Sequence, residues 1–122
     1  MTFIYSTMNK IITLRFRAAN KDIFDMILRG RKRVETRAAT KKYRNISPGD
    51  RIIFVCGRKR FIKTVVKVSR FRSIRAMLQV YSVKDIMPLL SREKELREAF
   101  YRYPNYKEKI RKFGLVALEF KP

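Results

Sequence analysis

Residues 51–71 read RIIFVCGRKRFIKTVVKVSRF, and this stretch decides the fold. Two runs rich in β-branched and aromatic residues, RIIFVC at 51–56 and RFIKTVVKVSRF at 60–71, flank a basic turn at 57–59, which predicts a long β-hairpin. In the second run Ile62, Thr64, Val66 and Val68 share one face while Lys63 and Lys67 point the other way. The hairpin is therefore expected to give one face to a core and the other to cations. Just before it, Ser47-Pro48-Gly49-Asp50 puts Pro second and Gly third of four, the pattern of a type II turn.

Outward from the hairpin the local signals continue. IITLRFR at 11–17 begins with β-branched residues and reads as a strand. Asn20 is placed to cap a helix whose apolar stripe is Ile23, Phe24, Ile27 and Leu28, and Gly30 supplies a left-handed stop. RKRVETRAAT at 31–40 suits a strand, and the polar TKKYRNI leads into the turn. Beyond the hairpin, Ile74, Met77, Leu78 and Tyr81 keep helical spacing behind Ser73, and Ser82 with Asp85 forms a capping-box pattern that Pro88 ends. Ser91 is expected to cap a further helix with Leu96, Ala99, Phe100 and Tyr103 buried, closed by Pro104. A short helix from Tyr106 to Lys112 stops at Gly114, and LVALEF at 115–120 is a last strand with Val116, Leu118 and Phe120 on one face. The order lacks regular βα alternation, so the expected fold class is α+β: a small, mostly antiparallel β-barrel with helices on its outside and at its mouth.

The 122 residues fit one domain, and an apolar content of 46% supports a packed core. Against this stand 31 Lys and Arg but only 10 Asp and Glu, a net charge of +21. Such a field attracts polyanions, nucleic acid first among them. No amphipathic helix suits a membrane surface, so no membrane partner is expected, and no protein partner is evident. A single Gln, a single Cys and no Trp also lean toward a heat-adapted composition. With Cys56 alone and no histidine, an internal disulfide, a thiolate metal cluster, a zinc site, a Ser-His-Asp triad and a Cys-His pair each lack a required member. No cofactor and no metal are expected. The N-terminal MTFIYSTMNKIITLRFR lacks the early basic region of a signal peptide, and no run is long enough to span a bilayer, so a cytoplasmic location is expected.

Candidate site residues cluster in GRKRVETR, 30–37, where Arg31, Lys32, Arg33 and Arg37 surround Glu35. On an ideal strand Lys32 and Glu35 face opposite ways. They converge only if the strand starts after Lys32 or carries a bulge, and the Gly30 stop favours a late start. Lys41, Lys42 and Arg44 around Tyr43, Arg58, Lys59 and Arg60 beside Phe61, and Arg70 and Arg72 around Phe71 mix cations with rings as phosphate and base contacts require. Tyr43 and Tyr101 are the rings expected to be exposed. Phe61, Phe71, Phe100 and Tyr103 are expected in the core.

GRKRVETR, ISPGDRIIF, RFRSIRAMLQVYSVKDIMP and YKEKIRKFGLVALEF, taken in order, resemble the landmarks of the ASCH domain family, relatives of the PUA-like barrels, over about residues 11–120. The resemblance implies a PUA-like fold that binds RNA or single-stranded DNA in a cleft beside the barrel, with a base pocket near the Gly-x-Lys-x-x-Glu-x-Arg motif. It also implies an alternative, since some relatives are metal-independent hydrolases of N4-acetylcytidine or of RNA. In that case Lys32 matches the catalytic lysine, and Glu35 stands where the amidohydrolase motif has Thr. The expectation is a nucleic-acid-binding module with phosphates on the loop and hairpin cations and one base near Lys32, Glu35 and Arg37.

Overall fold

The computed structural model describes residues 9–122. The first eight residues, on which part of the signal-peptide reading falls, lie outside the described residues. Five strands form one sheet: β1 (Ile11–Phe16), β2 (Val34–Ala38), β3 (Arg51–Cys56), β4 (Lys59–Phe71) and β5 (Leu115–Phe120). Their spatial order is β1-β3-β4-β5-β2. β3–β4, β4–β5 and β5–β2 pair antiparallel, whereas β1 lies parallel to β3 from Ile11↔Arg51 to Phe16↔Cys56. The sheet curls into a half-barrel.

The expected α+β class and mostly antiparallel pairing hold, three pairs of four being antiparallel, but the expected barrel is corrected to a half-barrel that does not close. β1 and β2 are both edges, and a seam separates them. A parallel pair needs a long crossover, and here it consists of α1 (Lys21–Leu28), β2 and α2 (Lys41–Arg44) between β1 and β3. Local periodicity does not reveal strand direction.

Each helix is positioned by nearby sequence. α1 stops as expected, with Gly30 at φ 76°, and it buries Phe24, Met26 and Ile27. Leu28, assigned to its stripe, is exposed instead. The turn before β3 has Gly49 at φ 94° and an Asp50 N–H donating to Ser47 O at 3.0 Å, as type II requires. Ser73 caps α3 (Ile74–Met77), and Ser82 and Asp85 form the expected box at the start of α4 (Val83–Ile86). α5 (Glu93–Tyr101) begins one residue later than expected, with Arg92 at its cap; Glu95 Oε1 accepts from the N–H groups of both Ser91 and Arg92. α6 (Tyr106–Phe113) ends at Gly114, as expected.

Two cores sit on the two faces of the sheet. The concave face packs Leu14, Phe54, Val65, Val116, Leu118 and Phe120 against Phe24 and Ile27 of α1. The opposite face buries Leu115 and Ala117 under Met77, Ile86, Leu96, Phe100 and Ile110 from the later helices. β5, buried on both sides, is the common wall. The hairpin phase corrects the expected core face of β4. Val65 is buried, whereas Ile62 and Val66 are 54% and 48% exposed. A register shift between Val65 and Lys67 inserts Val66 as an extra residue, so inward positions run through Phe61 and Val65 and then resume at Val68.

Candidate functional site

The seam between the two unpaired edges holds a cavity of about 350 Å3. β1 and its exit contribute Arg15, Phe16 and Arg17; β2 and its approach contribute Lys32, Glu35, Thr36 and Arg37; Met87, Phe100, Tyr103 and Tyr106 form the helical wall. Phe100 and Tyr103 are therefore site walls as well as packing residues. Its lining mixes rings with ionic groups, the Arg37 guanidinium lying over Phe16.

β2 begins only at Val34, so Lys32 escapes strand alternation and reaches Glu35, the convergence that a late start allows. Both are buried, at 2% and 5% exposure. Lys32 Nζ lies 3.4 Å from Glu35 Oε1, donates to Val34 O at 2.6 Å, and donates to the carbonyl of Ile86 at the end of α4. These three acceptors use all three donors of an ammonium. Glu35 Oε1 also accepts from the Thr36 N–H at 3.2 Å, and Oε2 accepts from Arg37 Nη2 at 3.0 Å. The Arg37 guanidinium lies over the rings of Phe16 and Tyr43, at 5.5 and 5.6 Å.

Electrostatics follow from this packing. Burial lowers the Lys32 pKa more than Glu35 raises it, and Arg37 adds to the lowering. For Glu35, burial works upward, but Lys32 and Arg37 together outweigh it and hold the carboxyl below its usual range. The Arg37 pKa is raised: burial opposes its charge, and Glu35 more than restores it. The result is a carboxylate clamped between two cations.

The motif also occupies the open edge of β2. Arg33 O accepts from Phe120 N–H and Ala39 N–H donates to Gly114 O, so odd-numbered residues here address β5 or the chain leading into it. Residues 34, 36 and 38 then turn their N–H and C=O groups toward the seam. Lys32 takes Val34 O, Glu35 takes the Thr36 N–H, and Tyr106 Oη accepts from the Ala38 N–H at 3.2 Å. Side chains occupy positions that pairing with β1 would otherwise use.

The remaining candidate cations lie outside the cavity. Arg31 and Arg33 are exposed beside the seam-forming segment and do not line it. Lys41, Lys42 and Arg44 are exposed on α2, where the Arg44 carbonyl accepts from Arg70 Nη2. Arg70 and Arg37 flank Val116 in one row of the sheet. Arg58, Lys59 and Arg60 are exposed at the hairpin tip, beside the end of β1 through the row Phe16–Cys56–Lys59. Arg72 is exposed just beyond β4 and lines no part of the cavity. Tyr43 is half-buried under Arg37 and Lys42 rather than free. Tyr101 is half-buried, with Lys107 over its ring. Sequence reasoning missed Arg15, Arg17 and Tyr106. Alternation in LRFR offered a signal for the first two, whereas only the fold brings Tyr106 to β2.

The fold and site define a class: an α+β half-barrel with a cation-rimmed cavity in its open seam. The chain belongs to the ASCH domain family, whose model matches residues 19–122, and that family is proposed to bind RNA. Among solved structures, it is similar to the crystal structure of hypothetical protein PH0355, with a TM-score of 0.77, 26% identity, and coverage of 94% of this chain and 99% of that one. It is also similar to the solution structure of protein PF0455 from Pyrococcus furiosus, with a TM-score of 0.70, 27% identity, and coverage of 94% and 97%. No curated protein matches. No helix among the described residues is long and apolar enough to cross a membrane.

Proposed function

We propose that this protein binds RNA or single-stranded DNA, admitting one base into the seam cavity and holding flanking phosphates on the cations around its mouth. The observation that carries this reading is the cavity itself, where rings of Phe16, Tyr103 and Tyr106 stand beside Arg15 and Arg17, neither of which has an acidic partner among the described residues. Aromatic faces suit a base and unpaired arginines suit its phosphates. The hairpin cations Arg58, Lys59 and Arg60 lie to one side of this mouth, and α2 with Arg70 lies to another, which extends the path for a strand.

Lys32 enters this reading as a strut. Its amine is spent on two carbonyls and Glu35, so an exposed nucleophile is not part of the proposal. The decisive measurement is the affinity for short fluorescent RNA and DNA strands across a salt series. A slope of log K against log[salt] of about −0.7 per phosphate contacted is expected. Affinity that ignores salt, or a preference for duplex over single strand, overturns the proposal.

A further inference from the structure

We infer that the cavity discriminates among bases, favouring one that carries an exocyclic amino group over uracil or thymine, and that the open edge of β2 at Thr36 is the reader. The inference rests on the binding reading above and adds its specificity. Three seam-facing positions exist on β2, and Thr36 is the one that lines the cavity. Its N–H is satisfied by Glu35, but its carbonyl, on the same side of the strand, has no donor among the described residues. Its hydroxyl likewise has no hydrogen-bond partner among them, although the residue is only 7% exposed. No fully buried side-chain oxygen is left unsatisfied among the described residues, so this hydroxyl is not fully buried, in a residue that lines the cavity.

Beside this carbonyl stands the Glu35 carboxylate. Its two oxygens offer about four acceptor positions. Three are met by the Thr36 N–H, Lys32 and Arg37, which leaves capacity for one more donor. The β2 wall therefore presents two acceptors in succession, a neutral carbonyl and an ionised carboxylate. An exocyclic amino group carries two N–H donors and satisfies both. Uracil and thymine turn a carbonyl toward the same place, where it meets acceptor against acceptor. The hydroxyl can donate or accept, so it accommodates the neighbouring ring nitrogen of the base without setting the preference. These acceptors exist because the barrel is open; closure of β2 onto β1 would consume the carbonyl.

The test uses the unmodified protein and a set of five-nucleotide RNA strands of uridine with one central position varied: cytidine, adenosine, uridine, or N4,N4-dimethylcytidine, which keeps the ring but has no amino hydrogen. Binding at least tenfold tighter for cytidine or adenosine than for uridine, lost on dimethylation, is expected. Equal affinity across the set, with a salt slope intact, overturns the inference and leaves the binding reading standing. Absence of salt-dependent binding by every strand overturns both. A Glu35→Gln variant adds a second measurement, since its amide can donate to a uracil carbonyl: where the variant folds, the cytidine-to-uridine ratio should fall toward one. If it does not fold, the dimethylcytidine comparison on the native chain still decides.

Discussion

Replacing Lys32 by Met keeps the length of the stem and removes only the ammonium. Three groups then lose their partner: the carbonyls of Val34 and Ile86 and the carboxylate of Glu35. An unmet buried carbonyl costs about 1–3 kcal/mol. Breaking a buried ion pair from one side costs about 3–5 kcal/mol. These quantities overlap, and Arg37 remains on Glu35, so the loss should be about 3 kcal/mol, the lower end of that second range. For a chain of this size that is roughly a 10 °C fall in melting temperature. Urea unfolding followed by circular dichroism reads it as a lower midpoint at unchanged slope. Lys41→Met, on the exposed face of α2, is the control and should stay within about 0.5 kcal/mol. A Lys32→Met loss under about 1 kcal/mol would refute the view that this lysine braces β2 to α4.

Other consequences are open to measurement. Glu35 titrates below its ordinary value of 4.5 when folded. The unfolded chain therefore takes up that proton first, and stability falls as pH drops through 4.5 toward the folded value; a urea midpoint unchanged down to the onset of general acid unfolding contradicts this. Lys32 acts in the opposite window. Its folded pKa lies below 10.5, so the stability it contributes rises with pH between the folded value and 10.5. Gly114→Ala forces a left-handed φ of 77° and sets a Cβ 2.5 Å from the backbone oxygen of Phe71, so a loss above about 2 kcal/mol is expected. Gly30→Ala, at φ 76° with nothing within 4 Å, should cost only about 1 kcal/mol, and equal thermal shifts for the two would contradict the packing argument. Arg58→Gln with Arg60→Gln should lower the salt slope of RNA binding by about 0.7 for each phosphate no longer held, with no change in melting temperature. An unaltered slope removes the hairpin tip from the binding path.

The features legible in the sequence share one property: their cause lies within a few residues. Gly30 stops α1 because its own backbone takes the left-handed φ, Pro48-Gly49 makes its turn, and Ser82 with Asp85 caps the start of its own helix. The late start of β2, which lets Lys32 meet Glu35, also follows from a local stop. Local pattern misleads where a neighbour distant in the chain decides. Val66 looks like a core residue by alternation, yet the phase in which β4 meets β3, which also exposes Ile62, sets it outward, and the bulge then returns the inward face to Val68.

By itself, then, the sequence determined the strands, helix ends, excess of cations and the motif that gathers charge at 30–37, because propensity, capping and composition act locally. Only the tertiary structure decided that β1 runs parallel to β3, that the barrel stays open, and that Tyr106, Ile86 and Phe16 meet the motif at its seam. The physical reason is that a cavity belongs to surfaces brought together by chain crossover and burial. Its Thr36 carbonyl, unpaired among the described residues, becomes visible as such only when the partners of every neighbouring backbone group are known.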